Sequence, residues 1–403
     1  MRVALTDFRW PLDPALARGR DETTLARALY ATPLRVDPAT GAPVPGLCSG
    51  WAGSDEFRRW TFTCRSAPSI AAALSRVTRL PAAPLRWLFA DARITAPSSS
   101  KLVVRLPFPW RRFPYALTTV AAAPRFVAGP FRLVSGSAQL VVVRSASLTV
   151  EFRRYPERGG ERAFERGDVD EAPVPVGAIA ATRARLGDVV HSRTLLAIDG
   201  VVLRRLLPKL RHVYLRTPNR GDYAELVAES LDAAAVSLVD PKAKVKTQEY
   251  RSAVGAVSSL PRVRVRIGVP VDPTLRYGAR LLYAQWRDVG LGPELVSEPT
   301  RVLAGSFGRR FAAYPQEEAL PAELVLNERL GARDLLLRAL AATDQRGALQ
   351  RLDEDMRASA RFVPIAWVVD ARLVSPRLQG WREDALGDVD YAAVRSLASS
   401  RRP

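Results

Sequence analysis

The stretch RVRVRIGVPVDPTLRYGARLLYAQWRDVGLGPELVSE, residues 262–298, constrains the fold more than any other part of the chain. RVRVRIGV alternates strictly between apolar and basic residues, which is typical of a strand. The apolar face of this strand carries Val263, Val265 and Ile267. Thr274–Val289 then follows the helical repeat, and Gly290 supplies a stop signal. The apolar positions on one face of this helix are Leu275, Leu282, Trp286 and Val289. LGPELVSE (291–298) follows as the next strand, so the segment predicts a β-α-β unit.

The remaining segments also predict an α/β protein with mixed sheets. The first half is rich in short β-branched and aromatic runs separated by Gly, Ser and Pro. These runs are LVVRLPF (102–108), GPFRLVS (129–135), AQLVVVRS (138–145) and SLTVEFRRY (147–155). A helix pair follows the β-α-β unit, formed by ARDLLLRALAAT and a second helix beginning after Asp344. The inner face of the second helix is predicted to carry Leu349, Leu352 and Met356. FVPIAWVVDARLVSP (362–376) then returns to strand.

The chain is strongly basic, with a formal net charge of +19, and only five of its 60 basic residues are lysines. A basic surface is able to bind nucleic acid or an anionic envelope polymer. The arginines, however, are scattered along the chain and form no arm or tail, and dispersed charge is usually solvated surface. The charge alone leaves both readings open and favours solvated surface, so no nucleic-acid partner is expected.

The chain offers no recognisable reaction centre. Its two histidines, His191 and His212, have no partners at metal-ligand spacing, and no GxSxG or phosphate-loop pattern occurs. The sequence therefore predicts a binding protein rather than an enzyme, with no metal and no cofactor. No run of 18 apolar residues is present, and Met1 leads directly into a strand-like segment instead of a leader. If the protein is exported, we expect its leader or lipid anchor to be absent from this chain.

Five segments, taken in order, carry a resemblance to a known family. The first is the opening RVALTDFRWPLDPALARGRDETTLARALYATPLRVDPATGAPVPGL, with a strand, an LDP turn and a helix. The others are GPFRLVS, AFERGDVDEAPVP (163–175), the β-α-β segment and VPIAWVVDARLVSPRLQGW (363–381). Together they resemble the extracellular solute-binding proteins of peptide-type ABC importers, solute-binding family 5. The chain resembles a shortened, divergent member, since RSAPSIAAALSRVTRL (65–80) keeps only a helical remnant of the segment that relatives have there.

The resemblance implies a two-lobed fold of the periplasmic-binding-protein kind, type II and peptide-binding class, with a hinge between the lobes. Residues 1–190 and 360–403 would form the first lobe together, and residues 191–359 the second. The implied function is the substrate-binding component of an ABC importer. Such a protein captures a peptide or similar small organic solute and delivers it to a membrane permease. The resemblance also implies a monomer in an extracytoplasmic location, periplasmic or at the cell surface.

The resemblance further implies a role for the only two cysteines of the chain. CSGWAGSDEFRRWTFTC (48–64) lies where the family has a β-hairpin, and its pairing centre at residue 56 makes Cys48 and Cys64 direct cross-strand partners. The same register pairs residue 50 with residue 62. Directly opposed Cβ atoms lie about 4.5–5.5 Å apart, close to what a disulfide requires. A disulfide here would fit an oxidising compartment, and the alternative is two buried free thiols.

One departure from the family concerns the ligand. Peptide-binding members often place an aspartate in a "W-ADY--P" segment, where it pairs with the amino terminus of the peptide. RRFAAYPQEEALP (309–321) is the corresponding stretch, and aligned on Tyr314 it has Ala313 at the aspartate position. A buried ammonium without a partner is costly. Either Glu317 or Glu318 therefore substitutes, or the ligand lacks a free amine. As adjacent carboxylates, Glu317 and Glu318 are also a candidate catalytic pair, and the alternative to that reading is that both are solvated.

The resemblance also indicates candidate ligand-binding residues. Residues soon after the LDP turn line the cleft in relatives, which corresponds here to Arg18, Gly19 and Arg20. Two arginines there would favour an anionic or carboxylate-bearing ligand, and the alternative is plain loop surface. Trp367, in the closing strand, would stack on a ligand or belong to the core. Tyr314 and Glu317 complete the predicted set.

Two other functions remain open at this stage. One is a basic protein that binds a polyanion, which differs from a cleft binder in its steep loss of affinity with salt. The other keeps the fold but not the transport, as a sensor or scaffold.

Overall fold

The computed structural model describes residues 1–37, 40–120, 129–156, 158–243, 247–260, 264–270, 273–297 and 303–397. The chain divides into two compact units. The first unit comprises Met1–Arg193, Ala313–Gln316 and Asp370–Pro403, and the second comprises Thr194–Ala312 and Glu317–Val369. The lobe boundaries expected from the resemblance, 1–190 with 360–403 and 191–359, stay a prediction. Across the described ranges no helix is long and apolar enough to span a bilayer.

The described residues form both strands and helices, as an α/β chain requires. The strands are β1 (Arg2–Leu5), β2 (Leu34–Val36), β3 (Pro43–Pro45), β4 (Cys48–Ser54), β5 (Arg59–Cys64), β6 (Arg93–Thr95), β7 (Lys101–Arg105), β8 (Arg132–Gly136), β9 (Leu140–Arg144), β10 (Thr149–Arg154), β11 (Glu171–Pro173), β12 (Val190–Leu203), β13 (Val265–Val269), β14 (Pro293–Ser297), β15 (Gly305–Phe311), β16 (Phe362–Val374), β17 (Leu378–Gln379) and β18 (Arg395–Ser396).

The helices of the described residues are α1 (Gly19–Leu29), α2 (Ala67–Arg79), α3 (Phe113–Ala116), α4 (Gly159–Glu165), α5 (Ile179–Leu186), α6 (Pro208–Arg216), α7 (Arg220–Tyr223), α8 (Thr247–Val257), α9 (Pro273–Asp288), α10 (Ala319–Ala322), α11 (Arg333–Ala341) and α12 (Gln345–Ser359). Short π-helical turns continue α7 and α10, at Ala224–Ala228 and Glu323–Asn327.

The main sheet of the first unit is mixed. Its order runs β8-β9-β10-β1-β11 and ends on the 370–374 part of β16. β1 pairs parallel with β10 and β11, whereas the β8-β9-β10 meander and the β11–β16 pair are antiparallel. The apolar residues that alternate along these strands form a core with α1. That core includes Val3, Leu5, Leu25, Leu29, Phe131, Val141, Val143, Val150 and Phe152.

A second, antiparallel sheet of the first unit has the order β4-β5-β7-β6. Buried aromatic rings cover one face of it, and the rings of Trp110 and Phe113 meet edge to face at 5.6 Å between centroids. The other members of this aromatic cluster are Trp60, Phe62 and Phe89. The helical remnant expected after Cys64 is the 13-residue helix α2.

The β4–β5 hairpin carries the predicted disulfide. Cys48 and Cys64 are cross-strand partners and their sulfurs are bonded, so the predicted disulfide is confirmed. The rest of the predicted register is wrong by one residue, because a β-bulge between Cys48 and Gly50 makes Gly50 the partner of Thr63 rather than of Phe62. The turn residues Asp55–Phe57 all have positive φ.

The second unit contains the predicted β-α-β unit. β13 and β14 pair parallel, and α9 connects them, which confirms the prediction from residues 262–298. Leu282 and Trp286 are buried on the inner face of α9, and the Trp286 ring lies 4.9 Å from that of Tyr214. Val263 falls outside the described residues. The sheet of this unit runs β14-β13-β15-β12, with β12 and β15 antiparallel.

The predicted helix pair of the second unit is also present, as α11 and α12. Asp344 caps α12 by accepting a 3.2 Å hydrogen bond from the Gly347 backbone N–H. Leu349, Leu352 and Met356 are buried, as the helical repeat predicts. The closing strand is β16, whose burial is nearly continuous over its 13 residues.

Candidate functional site

The start of α1 positions Arg18, Gly19 and Arg20. Gly19 has φ +66°, a left-handed conformation that glycine adopts without strain. Glu22 reaches back from the first turn and accepts a 2.7 Å hydrogen bond from the Arg18 backbone N–H. The Arg18 side chain is exposed and donates to the Ala82 carbonyl at 2.9 Å. The LDP turn before it is ordered by Asp13, which caps the following 3-10 turn.

Arg20 lies in a buried ionic cluster rather than on open loop surface. Its guanidinium is paired with Asp370 of β16 and with Glu383 in the segment that follows β17, and its side chain is 12% exposed. Arg193 donates to the Glu383 carbonyl oxygen. Two carboxylates therefore neutralise the charge of Arg20 and fix the orientation of its side chain.

Further arginine–carboxylate pairs extend the cluster along the sheet. Arg372 pairs with Glu171 at 3.0 Å. Arg27 pairs with Asp384 at 3.2 Å and with Asp388 at 3.0 Å. Because these charges are out of water, each carboxylate depends on its arginine partners.

Burial acts on the pKa of each of these carboxylates, but the net shift differs between them. It raises the pKa of Glu383 to about 7, which Arg20 opposes and Asp370 reinforces. It likewise raises the pKa of Asp388 to about 6, against the attraction of Arg27. Burial acts in the same direction on Asp370, but Arg20 and Arg372 outweigh it and hold the pKa of Asp370 below its usual value.

Tyr314 lies in a different part of the first unit from the start of α1. Its side chain is fully buried, and its ring lies 5.7 Å from that of Trp110 in the aromatic cluster. Two residues further on, Gln316 accepts a 2.6 Å hydrogen bond from Arg112. Ala313, at the position where relatives have the amine-pairing aspartate, is half-buried.

Glu317 and Trp367 belong to the second unit. Glu317 is exposed, whereas the neighbouring Glu318 is fully buried. Trp367 is 3% exposed on β16, and its indole N–H has no hydrogen-bond partner among the described residues. The six predicted residues thus divide into the α1 group and Tyr314 in the first unit, and Glu317 and Trp367 in the second.

The second unit contains a polar centre that the sequence did not indicate. Arg309 donates to both oxygens of Asp199, at 2.8 and 3.0 Å, and Tyr223 donates its hydroxyl hydrogen to Asp199 at 3.1 Å. Burial and the Asp199 charge raise the pKa of Tyr223 well above its usual value. Asp199 and Arg309 face each other across β12 and β15, an arrangement that becomes visible only once the strands are paired.

One feature of the sequence does indicate the ionic cluster of the first unit. Residues 383–390 hold four carboxylates in a chain of +19 net charge, and such a run is a natural partner for arginines. The carboxylates are Glu383, Asp384, Asp388 and Asp390.

Comparison with known proteins places the fold. No known family model and no curated protein matches the chain. Solved structures do match over its whole length. One is the murein tripeptide binding protein MppA of Escherichia coli, with a TM-score of 0.80 and 14% identity over 98% of both chains.

Two further matches are complexes. The dipeptide binding protein of Pseudoalteromonas sp. SM9913, in complex with Met-Leu, has a TM-score of 0.79 and 13% identity over 98% of this chain and 100% of its own. OppA of Haemophilus influenzae, in complex with RPPGFSPFR, has a TM-score of 0.77 and 14% identity over 98% of each chain. The chain therefore has the fold of these peptide-binding proteins, and the predicted fold class is confirmed.

Proposed function

We propose that this protein is the substrate-binding component of an ABC importer. It captures a peptide or a similar small organic solute and delivers it to a membrane permease. The observation that carries the proposal is the full-length likeness to the murein tripeptide binding protein, supported by two complexes that hold a dipeptide and a nonapeptide. Capture of this kind needs no catalysis and no cofactor. The Cys48–Cys64 disulfide favours an oxidising, extracytoplasmic location, and we propose a monomer.

We assign the six residues predicted from the resemblance to ligand binding, Arg20 by positioning and the other five by contact. Arg18 is the exposed cation of the α1 group, and its guanidinium suits a ligand carboxylate. Arg20 is balanced by Asp370 and Glu383, so its role would be to fix the start of α1 beside Arg18.

The exposure of the two adjacent glutamates distinguishes them as partners for a ligand amine. Glu317 is exposed and Glu318 is fully buried, so Glu317 is the one that a ligand can reach. With Ala313 at the aspartate position, we propose that Glu317 pairs with the ligand amine.

A thermal-shift screen of the purified chain tests the function. Pooled short peptides, free amino acids and small anionic solutes are added at moderate salt, and each hit is repeated at high salt. A specific ligand at 100 times its Kd adds about 2.7 kcal/mol to the free energy of unfolding, which raises the melting temperature measurably. A peptide or solute that stabilises the protein at both salt concentrations supports the proposal.

The opposite pattern overturns it. If no solute stabilises the chain while a polyanion does so with a steep loss at high salt, the protein is a polyanion binder.

N-acetylated versions of any peptide hit test the amine contact, because they should bind the wild type no better than they bind Glu317→Gln.

A further inference from the structure

A cavity of about 620 Å³ opens within the first unit. All the described residues around it belong to that unit. They come from the end of α1, β2, the residues just before β4 and just before α2, Thr118, the residues before β8 and residues 382–392. Its volume lies in the range of small-molecule sites, which is about 300–1,000 Å³. None of the six residues assigned to the transported ligand lines it.

The floor of the cavity is apolar. Leu47, Phe131 and Val389 line it and are each less than 10% exposed. Tyr30 adds a half-buried ring, whose hydroxyl donates to the Leu12 carbonyl at 3.2 Å. Removing an apolar ligand body from water onto such a surface is favourable.

The carboxylates at one wall are already engaged. Arg27 is ion-paired with both Asp384 and Asp388. Asp384 also accepts hydrogen bonds from the backbone N–H groups of Leu386 and Asp388, at 2.8 and 3.0 Å. Asp390 is the third carboxylate of this wall; it is exposed and accepts a 3.1 Å hydrogen bond from the Ala392 backbone N–H.

The rim carries cations without carboxylate partners. Arg35, Arg65 and Arg382 line the cavity and are exposed, and within the described part of the chain none of the three forms an ion pair. Arg35 makes one side-chain hydrogen bond, from Nε to the Pro45 carbonyl at 3.1 Å. Guanidinium groups bind carboxylate, sulfonate and phosphate oxygens through paired N–H donors.

We propose that this cavity is a second binding site, for a small organic anion with an apolar body. The apolar part lies on Leu47, Phe131 and Val389, and the anionic group meets the rim arginines. The site is independent of the one that serves transport.

Fluorescence titration with 1-anilinonaphthalene-8-sulfonate tests the site on the full chain. N-phenyl-1-naphthylamine, which has the same rings without the sulfonate, is the matched neutral probe. We expect the sulfonate to bind saturably at one site. Arg35→Gln combined with Arg65→Gln should raise its Kd at least tenfold and leave the neutral probe unchanged, because only the anionic contact is lost.

Two further variants sharpen the test. Ala31→Trp fills the cavity and should abolish binding of both probes. Arg79→Gln combined with Arg105→Gln removes two exposed arginines of the same unit that do not line the cavity, and should leave the Kd unchanged. Melting temperatures show whether each variant is folded.

Three outcomes would overturn the proposal. They are the absence of saturable sulfonate binding, equal loss in the rim and control arginine variants, and displacement of the bound sulfonate by the solute that the thermal screen identifies. Displacement would place the probe in the transport site. Failure of the screen itself would leave the probe result intact, so the two proposals fail separately.

Discussion

The guanidinium of Arg372 donates a 3.0 Å hydrogen bond to Glu171 Oε1, and neither side chain is more than 2% exposed. Glu171 also accepts hydrogen bonds from the Tyr391 hydroxyl at 3.1 Å and from the Trp381 indole N–H at 2.9 Å. These contacts join β11, β16 and the C-terminal segment. A buried carboxylate with three donors is well compensated, whereas the same carboxylate without its cation is not.

Arg372→Met should therefore destabilise the protein strongly. It leaves the Glu171 charge buried without its cation, and breaking a buried pair costs about 3–5 kcal/mol. Urea unfolding measures the change. Arg166→Met is the matched control, since its pair with Asp168 is largely exposed and should contribute less than about 1 kcal/mol. Equal losses in the two variants would contradict the role given to the buried pair.

The ionic cluster predicts that stability falls as pH rises from about 4.5 to 7. Burial raises the pKa of Glu383 from 4.5 to about 7, so between these values the folded state holds a proton that the unfolded state has lost. The contribution of this proton to the free energy of unfolding is complete below pH 4.5 and is lost as the pH rises through 7. The other charges that act on Glu383 are Arg20, Asp370 and Arg372.

Melting temperatures measured across this pH range test whether stability falls as the pH rises. Glu383→Gln stays neutral, so its decline with pH should be shallower than that of the wild type. Asp388 titrates in the same direction with a pKa of about 6 and keeps part of the slope in the variant. Glu225→Gln, at an exposed carboxylate, should retain the wild-type profile. A profile of Glu383→Gln parallel to that of the wild type would contradict the assignment.

Local patterns predicted the elements of this fold well. The alternation in β13, the helical repeats of α9 and α12 and the run of β16 follow from which faces are apolar, and each is present. The hairpin register was harder, because a bulge between Cys48 and Gly50 shifts one strand without changing the composition of either.

The candidate site was less predictable for a topological reason. Arg20 and Glu383 are 363 residues apart, and only the tertiary fold brings them together. A single sequence shows that each is charged but not which charge it meets. The exposed Arg18 and the paired Arg20 were therefore indistinguishable until the fold was known.

The disulfide should contribute about 3 kcal/mol to stability, since it closes a loop of 16 residues. Urea unfolding with and without reductant measures this contribution. Cys48→Ser combined with Cys64→Ser should match the reduced wild type and show no response to reductant. Two titratable thiols in the unreduced, denatured wild type would contradict the disulfide.

Two helical glycines should respond to alanine in opposite directions. A Cβ on Gly278 of α9 would lie 2.4 Å from the Tyr223 hydroxyl oxygen and 2.8 Å from its ring, so Gly278→Ala must displace a buried residue that is hydrogen-bonded to Asp199. Overpacking of this kind costs about 1–3 kcal/mol. Gly255 of α8 has nothing within 4 Å of the corresponding position, so Gly255→Ala should stabilise by about 0.5–1 kcal/mol through helix propensity. Urea unfolding measures the change in the free energy of unfolding for both variants. A stabilising Gly278→Ala would mean that Tyr223 does not pack against α9 as described.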